Sequence, residues 1–94
     1  MIVTVAELKE NLHVQYDDEN EYLASLIRQA QAAAEDFCRV TFSDPAPEPV
    51  RLAVKLMASF YYEYRDAPDK QDYIAMQMAF KALIYPYRDT SKMF

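Results

Sequence analysis

Few side chains in this 94-residue sequence could carry catalysis. The chain has one histidine, His13, and one cysteine, Cys38, whereas a catalytic centre needs a nucleophile, a base and a group that orients the base. His13 lies in a segment without helical periodicity, and we interpret it as a structural or surface residue. Cys38 lies on the apolar stripe of a helix and is interpreted as core. The sequence therefore predicts no catalytic residue and no enzymatic activity.

An acidic run at Asp17, Asp18, Glu19 and Glu21 could in principle collect a hard cation. A calcium loop needs alternating oxygen ligands and a glycine at its sharp turn, and this chain contains no glycine. Negative charge is favourable at the start of a helix, where Asp18 and Glu21 can form a capping box. We therefore interpret the run as capping and expect no metal site. Phosphate-binding loops and dinucleotide fingerprints also require glycine, so no cofactor is expected.

The charge balance disfavours a protein dedicated to nucleic acid. Fifteen acidic and ten basic side chains give a net charge of −5, which repels phosphate groups. Arg51 and Lys55 nevertheless form a candidate basic strip one helical turn apart. Two like charges at this spacing need a facing carboxylate, from this chain or from a neighbouring one. The sequence has no signal peptide or apolar run of membrane-spanning length, which predicts a cytosolic, soluble chain without a membrane partner.

Apolar residues recur at spacings of three and four along most of the chain, which predicts an all-α fold. The absence of glycine makes tight β-hairpins improbable. Four main helices are predicted, near residues 5–12, 19–39, 49–65 and 71–84. A chain of this length has room for one hydrophobic core, so we expect a single domain over residues 1–88 and a flexible C-terminal tail at 89–94.

Local signals indicate where these helices begin and end. Thr4 as N-cap and Glu7 three residues later form a capping box for the short first helix. Pro49 suits the first position of the third helix, which is apolar on nearly every side, and Pro86 stops the fourth. The main apolar stripes predict the centre of the core. Its members are Leu26, Ile27, Ala30, Phe37, Val54, Met57, Phe60, Tyr61, Phe80 and Leu83.

Tyrosine and arginine are concentrated in the second half of the chain. Both are enriched in protein interfaces, because a rigid aromatic ring or a guanidinium gives large contact area and directed hydrogen bonds. The candidate interface residues are Tyr62, Arg65, Tyr85, Tyr87 and Arg88. An equally weighted alternative is that several of these tyrosines fill the core and leave their hydroxyls at its rim. The sequence leaves both interpretations open.

Several short motifs, in their order along the chain, resemble a known family. They are Thr4-Val5-Ala6-Glu7-Leu8-Lys9, Asp17-Asp18-Glu19, Leu23-Ala24-Ser25-Leu26-Ile27, Pro49, Tyr62-Glu63-Tyr64-Arg65 and Leu83-Ile84-Tyr85-Pro86-Tyr87-Arg88. From residue 1 to about residue 88 the sequence resembles the small head-tail connector proteins of phages and prophages. Family members often carry glycine near the end of the long second helix. Its absence here bears on the turn at 40–43 and not on the topology.

The resemblance implies a structural role without enzymatic activity. The chain would be a subunit of a ring that docks beneath the portal of the filled capsid and joins it to the tail, around a central DNA channel. Its partners would be further copies of itself, the portal protein and a tail-side connector or completion protein, and DNA would pass without sequence-specific binding. The protein would be in the host cytoplasm during assembly and then in the virion. The alternative is a helical DNA-packaging accessory or nucleic-acid-binding protein that uses Arg51, Lys55 and Arg65.

Overall fold

The computed structural model describes residues 1–65 and 69–89. This part of the chain is all-α and has no β-strand, as predicted. Four α-helices are followed by a short 3₁₀ turn. They are α1 (Val5–Leu12), α2 (Asn20–Cys38), α3 (Glu48–Glu63), α4 (Lys70–Ile84) and the 3₁₀ turn Tyr85–Tyr87.

The observed helix ends differ from the predicted ones by at most two residues, and both ends of α1 and the end of α4 agree with the prediction. Helix α3 begins at Glu48, which makes Pro49 its second residue, and its N-cap is Pro47. It ends at Glu63, two residues early, and the Tyr64 N–H closes its last turn on the Phe60 carbonyl at 3.0 Å. The sequence predicts a helix break at 66–69; residues 66–68 lie outside the described residues, as does the predicted tail beyond residue 89, and Asp69 is the N-cap of α4.

The starts of α1 and α2 are capped differently. At α1 the predicted capping box is confirmed: Thr4 Oγ1 accepts from the Glu7 N–H, and Glu7 Oε1 accepts from the Thr4 N–H, both at 3.1 Å. At α2 the capping box predicted from Asp18 is wrong, because the N-cap is Glu19 and its side chain makes no capping bond. That carboxylate is used instead by side chains at the end of α3.

Two helices end in a left-handed residue although the chain has no glycine. His13 after α1 and Arg39 after α2 both have φ of 59°. At the first of these ends the Val14 N–H reaches back to the Lys9 carbonyl at 2.9 Å, a Schellman-type closure. A residue with a Cβ pays a steric cost in this conformation. Histidine and arginine therefore adopt the left-handed conformation that glycine usually takes at the end of a helix.

Helix α3 lies at the centre of the packing. It contacts α1, α2 and α4, whereas α4 packs mainly on α3 and only slightly on α2. Of the ten predicted core residues, all but three are buried. Phe37, Tyr61 and Leu83 are only partly buried and pack against the edge of the core. At Phe37 the edge is polar, since Lys81 and Arg88 stack on its ring.

The N-terminal segment is also part of the core, which the list of predicted core residues missed. Ile2, Val3 and Leu8 are almost fully buried. The Ile2 backbone is held on both sides, since its N–H donates to Gln31 Oε1 at 2.9 Å and its carbonyl accepts from Arg51 Nε at 3.1 Å. The start of the chain is therefore fastened between α2 and α3.

Candidate interaction surface

The five predicted interface residues fall into two groups at opposite ends of α2. Tyr62 and Arg65 lie beside Glu19, at the start of α2. Tyr85, Tyr87 and Arg88 follow α4, whose last residues lie near the other end of α2, where the Asp89 N–H donates to the Cys38 carbonyl at 2.8 Å. With 19 residues in α2 and a rise of about 1.5 Å per residue, the groups are separated by the helix length of roughly 28 Å.

The first group forms a compact cluster with α2, which we call the Glu19 cluster: Glu19, Tyr22, Tyr62 and Arg65. Glu19 accepts from the Tyr62 hydroxyl at 2.8 Å and from Arg65 Nη1 at 2.6 Å. The Arg65 guanidinium also stacks on both rings, 4.5 Å from the Tyr62 centroid and 5.2 Å from that of Tyr22. The two predicted interface residues of this group are thus already engaged within the chain.

These contacts shift the proton affinities of the cluster. The hydrogen bond from Arg65, followed by that from Tyr62, holds the pKa of the Glu19 carboxyl below its ordinary value. In turn, the hydrogen bond to Glu19 raises the pKa of Tyr62 to about 12. The cluster is therefore most stable with Glu19 ionised and Tyr62 protonated, which is its state near neutral pH.

The second group is only partly engaged. Tyr87 packs against the core, and the Arg88 guanidinium lies 4.8 Å from the Phe37 ring and 5.3 Å from the Tyr85 ring. Tyr85 itself is 61% exposed. Of the five predicted residues, Tyr85 is therefore the one that offers most aromatic surface to a partner.

The candidate basic strip is matched by carboxylates of the same chain. Arg51 forms ion pairs with Glu7 and Glu48 and donates to the Ile2 carbonyl. Lys55 lies in an open groove between α1 and α3. The other residues of that groove are Glu7, Glu10, Asn11 and His13. The sequence left open whether the facing carboxylates belong to this chain or to a neighbouring one. For Arg51 they belong to this chain, so little unbalanced positive charge remains on this side of α3.

Cys38, the one cysteine of the sequence, does not have the setting of a catalytic nucleophile. Cys38 is buried, with its Sγ 3.4 Å from the Ile84 carbonyl, and burial raises the pKa of its thiol. A protonated, inaccessible thiol is a poor nucleophile. Asp17 of the acidic run pairs with Lys9, which lowers the pKa of its carboxyl. Residues 1–65 and 69–89 contain no group of histidine, cysteine and carboxylate side chains that could hold a metal ion.

The most exposed apolar surface lies on α4, and sequence reasoning missed it. Ile74, Met78 and Tyr85 are 47%, 68% and 61% exposed, and their spacing of four and seven puts them on one face. Met76, Phe80 and Ile84 lie on a different face of the helix and are buried. Lys70 and Lys81 share the exposed face, since they are four residues before Ile74 and three after Met78. We call this surface the α4 outer face: Lys70, Ile74, Met78, Lys81 and Tyr85.

An exposed apolar helix face on a small helical domain is typical of proteins that bind other proteins. A comparison with models of known protein families identifies the family. The model of the phage gp6-like head-tail connector protein matches residues 2–88, so the chain belongs to this family. The protein is thereby a structural phage protein with a connector role. Comparison with curated proteins and with solved structures returned no match. No helix in the described part is long and apolar enough to cross a membrane.

Proposed function

We propose that this chain is a ring subunit that docks beneath the portal of the filled capsid and joins the capsid to the tail. The observation that carries the proposal is the family match, which spans residues 2–88 of the 94-residue chain. The partners would be further copies of the chain, the portal protein and a tail-side connector or completion protein. The protein would meet them in the host cytoplasm and remain at the head-tail junction of the virion.

The charge of the chain supports a channel through which DNA passes without being bound. A net charge of −5 repels phosphates. The alternative, a nucleic-acid-binding or packaging accessory protein, would use Arg51, Lys55 and Arg65. Arg51 and Arg65 are both occupied by carboxylates of the same chain, which lowers the number of counterions that DNA binding could release. No observation favours this alternative.

Deletion of the gene from its phage tests the proposal. We expect DNA-filled heads and free tails to accumulate without joining, because the subunit that bridges them is missing. Supply of the parent chain from a plasmid should restore joined particles, and antibody labelling in electron micrographs should place the chain at the junction. Joined, infectious particles in the absence of the chain would refute the proposed role.

A binding experiment separates the two candidate functions directly. Purified chain is mixed either with the portal protein or with duplex DNA. Co-sedimentation with the portal and no change in DNA mobility at low salt are expected. A salt-dependent DNA mobility shift without portal binding would favour the alternative.

A further inference from the structure

The α4 outer face has the composition of an interface and is not covered by the rest of the described chain. It combines three exposed apolar side chains with Lys70 and Lys81 and has no carboxylate, since Asp72 is on a different side of the helix. Neither lysine makes an ion pair with a described residue. A surface that is apolar at its centre and positive at its edge fits a partner surface that combines aromatic or other apolar side chains with acidic ones.

The same chain carries such a surface elsewhere, which we call the acidic loop: Tyr16, Asp17, Asp18 and Glu21. Tyr16 is 55% exposed and the Asp17 side chain 82% exposed. Asp18 and Glu21 are also exposed and make no ion pair within the described residues. Asp17 pairs with Lys9, so the unpaired carboxylates beside the exposed Tyr16 ring are those of Asp18 and Glu21, and together they complement the α4 outer face in both polarity and charge.

The charge distribution along the chain has the same asymmetry. Residues 1–44 contain nine acidic and three basic side chains, while residues 45–94 contain six acidic and seven basic ones. Two copies that meet through the same α4 face would bring lysines against lysines, which is unfavourable. Two copies that meet through different halves would bring opposite charges together.

The two surfaces also lie on different flanks of α3. The neighbouring residues Tyr61 and Tyr62 point to different sides, with Tyr61 close to Tyr73 of α4 and Tyr62 bonded to Glu19 beside the acidic loop. One copy can therefore use both surfaces at once. A contact between two different surfaces repeats from copy to copy and closes into a ring when the rotation allows it.

From these observations we infer that the α4 outer face of one copy docks on the acidic loop of a second copy. This inference rests on the proposed function, because it names the contact that would build the ring. Tyr85 would lie at the end of this contact, which gives one of the predicted interface residues its partner. Met78, the most exposed of the three apolar residues, would insert beside Tyr16 of the neighbour.

Cysteine pairs placed beside the two surfaces test the contact without removing any of its side chains. Gln15 precedes Tyr16, Ala82 lies beside Lys81, and both are exposed. The full-length double variant Gln15→Cys/Ala82→Cys, treated with a short bismaleimide, should give a ladder of covalent oligomers. The control pair Ala32→Cys/Ala82→Cys uses an exposed position on α2 and should remain monomeric, as should the parent with its buried Cys38.

The alternatives give different products. Dimers from Ala82→Cys alone would mean that two α4 faces meet, and the inference would be wrong. An absence of oligomers from the double variant, or cross-links to the portal protein alone, would also overturn it. Either result leaves the proposed function intact if the chain is still found at the head-tail junction, so the two failures can be told apart.

Charge reversal provides a second, independent readout. Lys81→Glu in the double-cysteine variant should lower the ladder yield by about tenfold, because like charges then face each other. Asp18→Lys should have the same effect, and the two reversals together should restore the yield. Yields that respond to neither reversal would overturn the inferred pairing of the two surfaces.

Discussion

Helices α3 and α4 are similar in sequence character and very different in their surroundings. Both carry apolar residues on most sides. Helix α3 is covered by three other helices, and polar bonds hold it along its length: Arg51 near its start, Ser59 bonded to Asn11 at 2.9 Å, and Tyr62 at its end. Helix α4 has one buried face, and a second apolar face is exposed. The apolar residues of α3 therefore stabilise the fold, whereas some of those of α4 stay exposed and can contact a partner.

A matched pair of methionine substitutions gives the largest expected difference between the two helices. Met57→Ala in α3 removes a buried side chain and should lower the free energy of unfolding by about 2 to 5 kcal/mol. Met78→Ala in α4 removes an exposed one and should change it by less than about 0.5 kcal/mol. Chemical denaturation of both variants measures the difference. Equal losses would contradict the assignment of the exposed face of α4.

The polar anchoring of α3 predicts the next largest effect. Arg51→Met keeps the length of the side chain and removes its bonds to Glu7, Glu48 and the Ile2 carbonyl. We expect a loss of about 1.5 to 3 kcal/mol, because a charged donor is lost from a half-buried site. Lys81 of α4 makes no ion pair in the parent chain, so Lys81→Met is the control. If the two variants were equally stable, the Arg51 contacts would contribute nothing.

The left-handed residue that ends α1 predicts a smaller effect of opposite sign. His13→Gly removes the steric cost of a Cβ at φ of 59° and should stabilise the chain by about 1 kcal/mol. His13→Ala keeps the Cβ and should not stabilise it. Thermal unfolding of both variants measures the change in stability. The gain should arise where α1 packs on α3 and should not involve α4. A gain in the alanine variant would point to the imidazole instead of the backbone.

The Glu19 cluster predicts a pH dependence at the end of α3. The lowered pKa of Glu19 means that its stabilising contribution is present above the ordinary carboxyl pKa and is lost as the pH falls through the folded value. The raised pKa of Tyr62 means that its contribution is present below the ordinary tyrosine pKa and is lost as the pH rises through about 12. Exposure of the cluster and screening by salt make both effects small.

Glu19→Gln should therefore shift the pKa of Tyr62 down toward the ordinary tyrosine value, because its carboxylate partner is gone. Ultraviolet titration of tyrosinate measures this, with Tyr62→Phe identifying the contribution of that one ring. A Tyr62 pKa that stays at about 12 in the Glu19→Gln variant would show that another group causes the shift.

Local sequence patterns were sufficient to predict the helices and part of the core. The spacing of apolar residues predicted four helices to within two residues at each end, and both residues of the Thr4–Glu7 capping box were predicted correctly. Such features depend on residues within one or two turns of each other, and this proximity is present in the sequence itself. The family resemblance, confirmed over residues 2–88, was also visible in the order of the motifs.

Partners distant in sequence were decided by the tertiary structure. Tyr62 and Arg65 were expected on a surface with Tyr85 and Arg88, but the packing of α3 against α2 brings the first two to Glu19 and leaves the others at the far end of α2. Glu19 was expected to cap α2 together with its neighbours and instead accepts bonds from residues more than 40 positions away.

The same limit applies to α4. Periodicity placed Phe80 and Leu83 of this helix in the core, and Phe80 is buried as predicted. The sequence also has a second apolar stripe on α4, and only the position of α3 decides that Ile74 and Met78 on that stripe are exposed. The sequence alone determined that the chain is helical and has apolar surface in excess of one small core. Which stripe faces outward followed from packing, because burial is a property of the neighbours that a helix acquires when the chain folds.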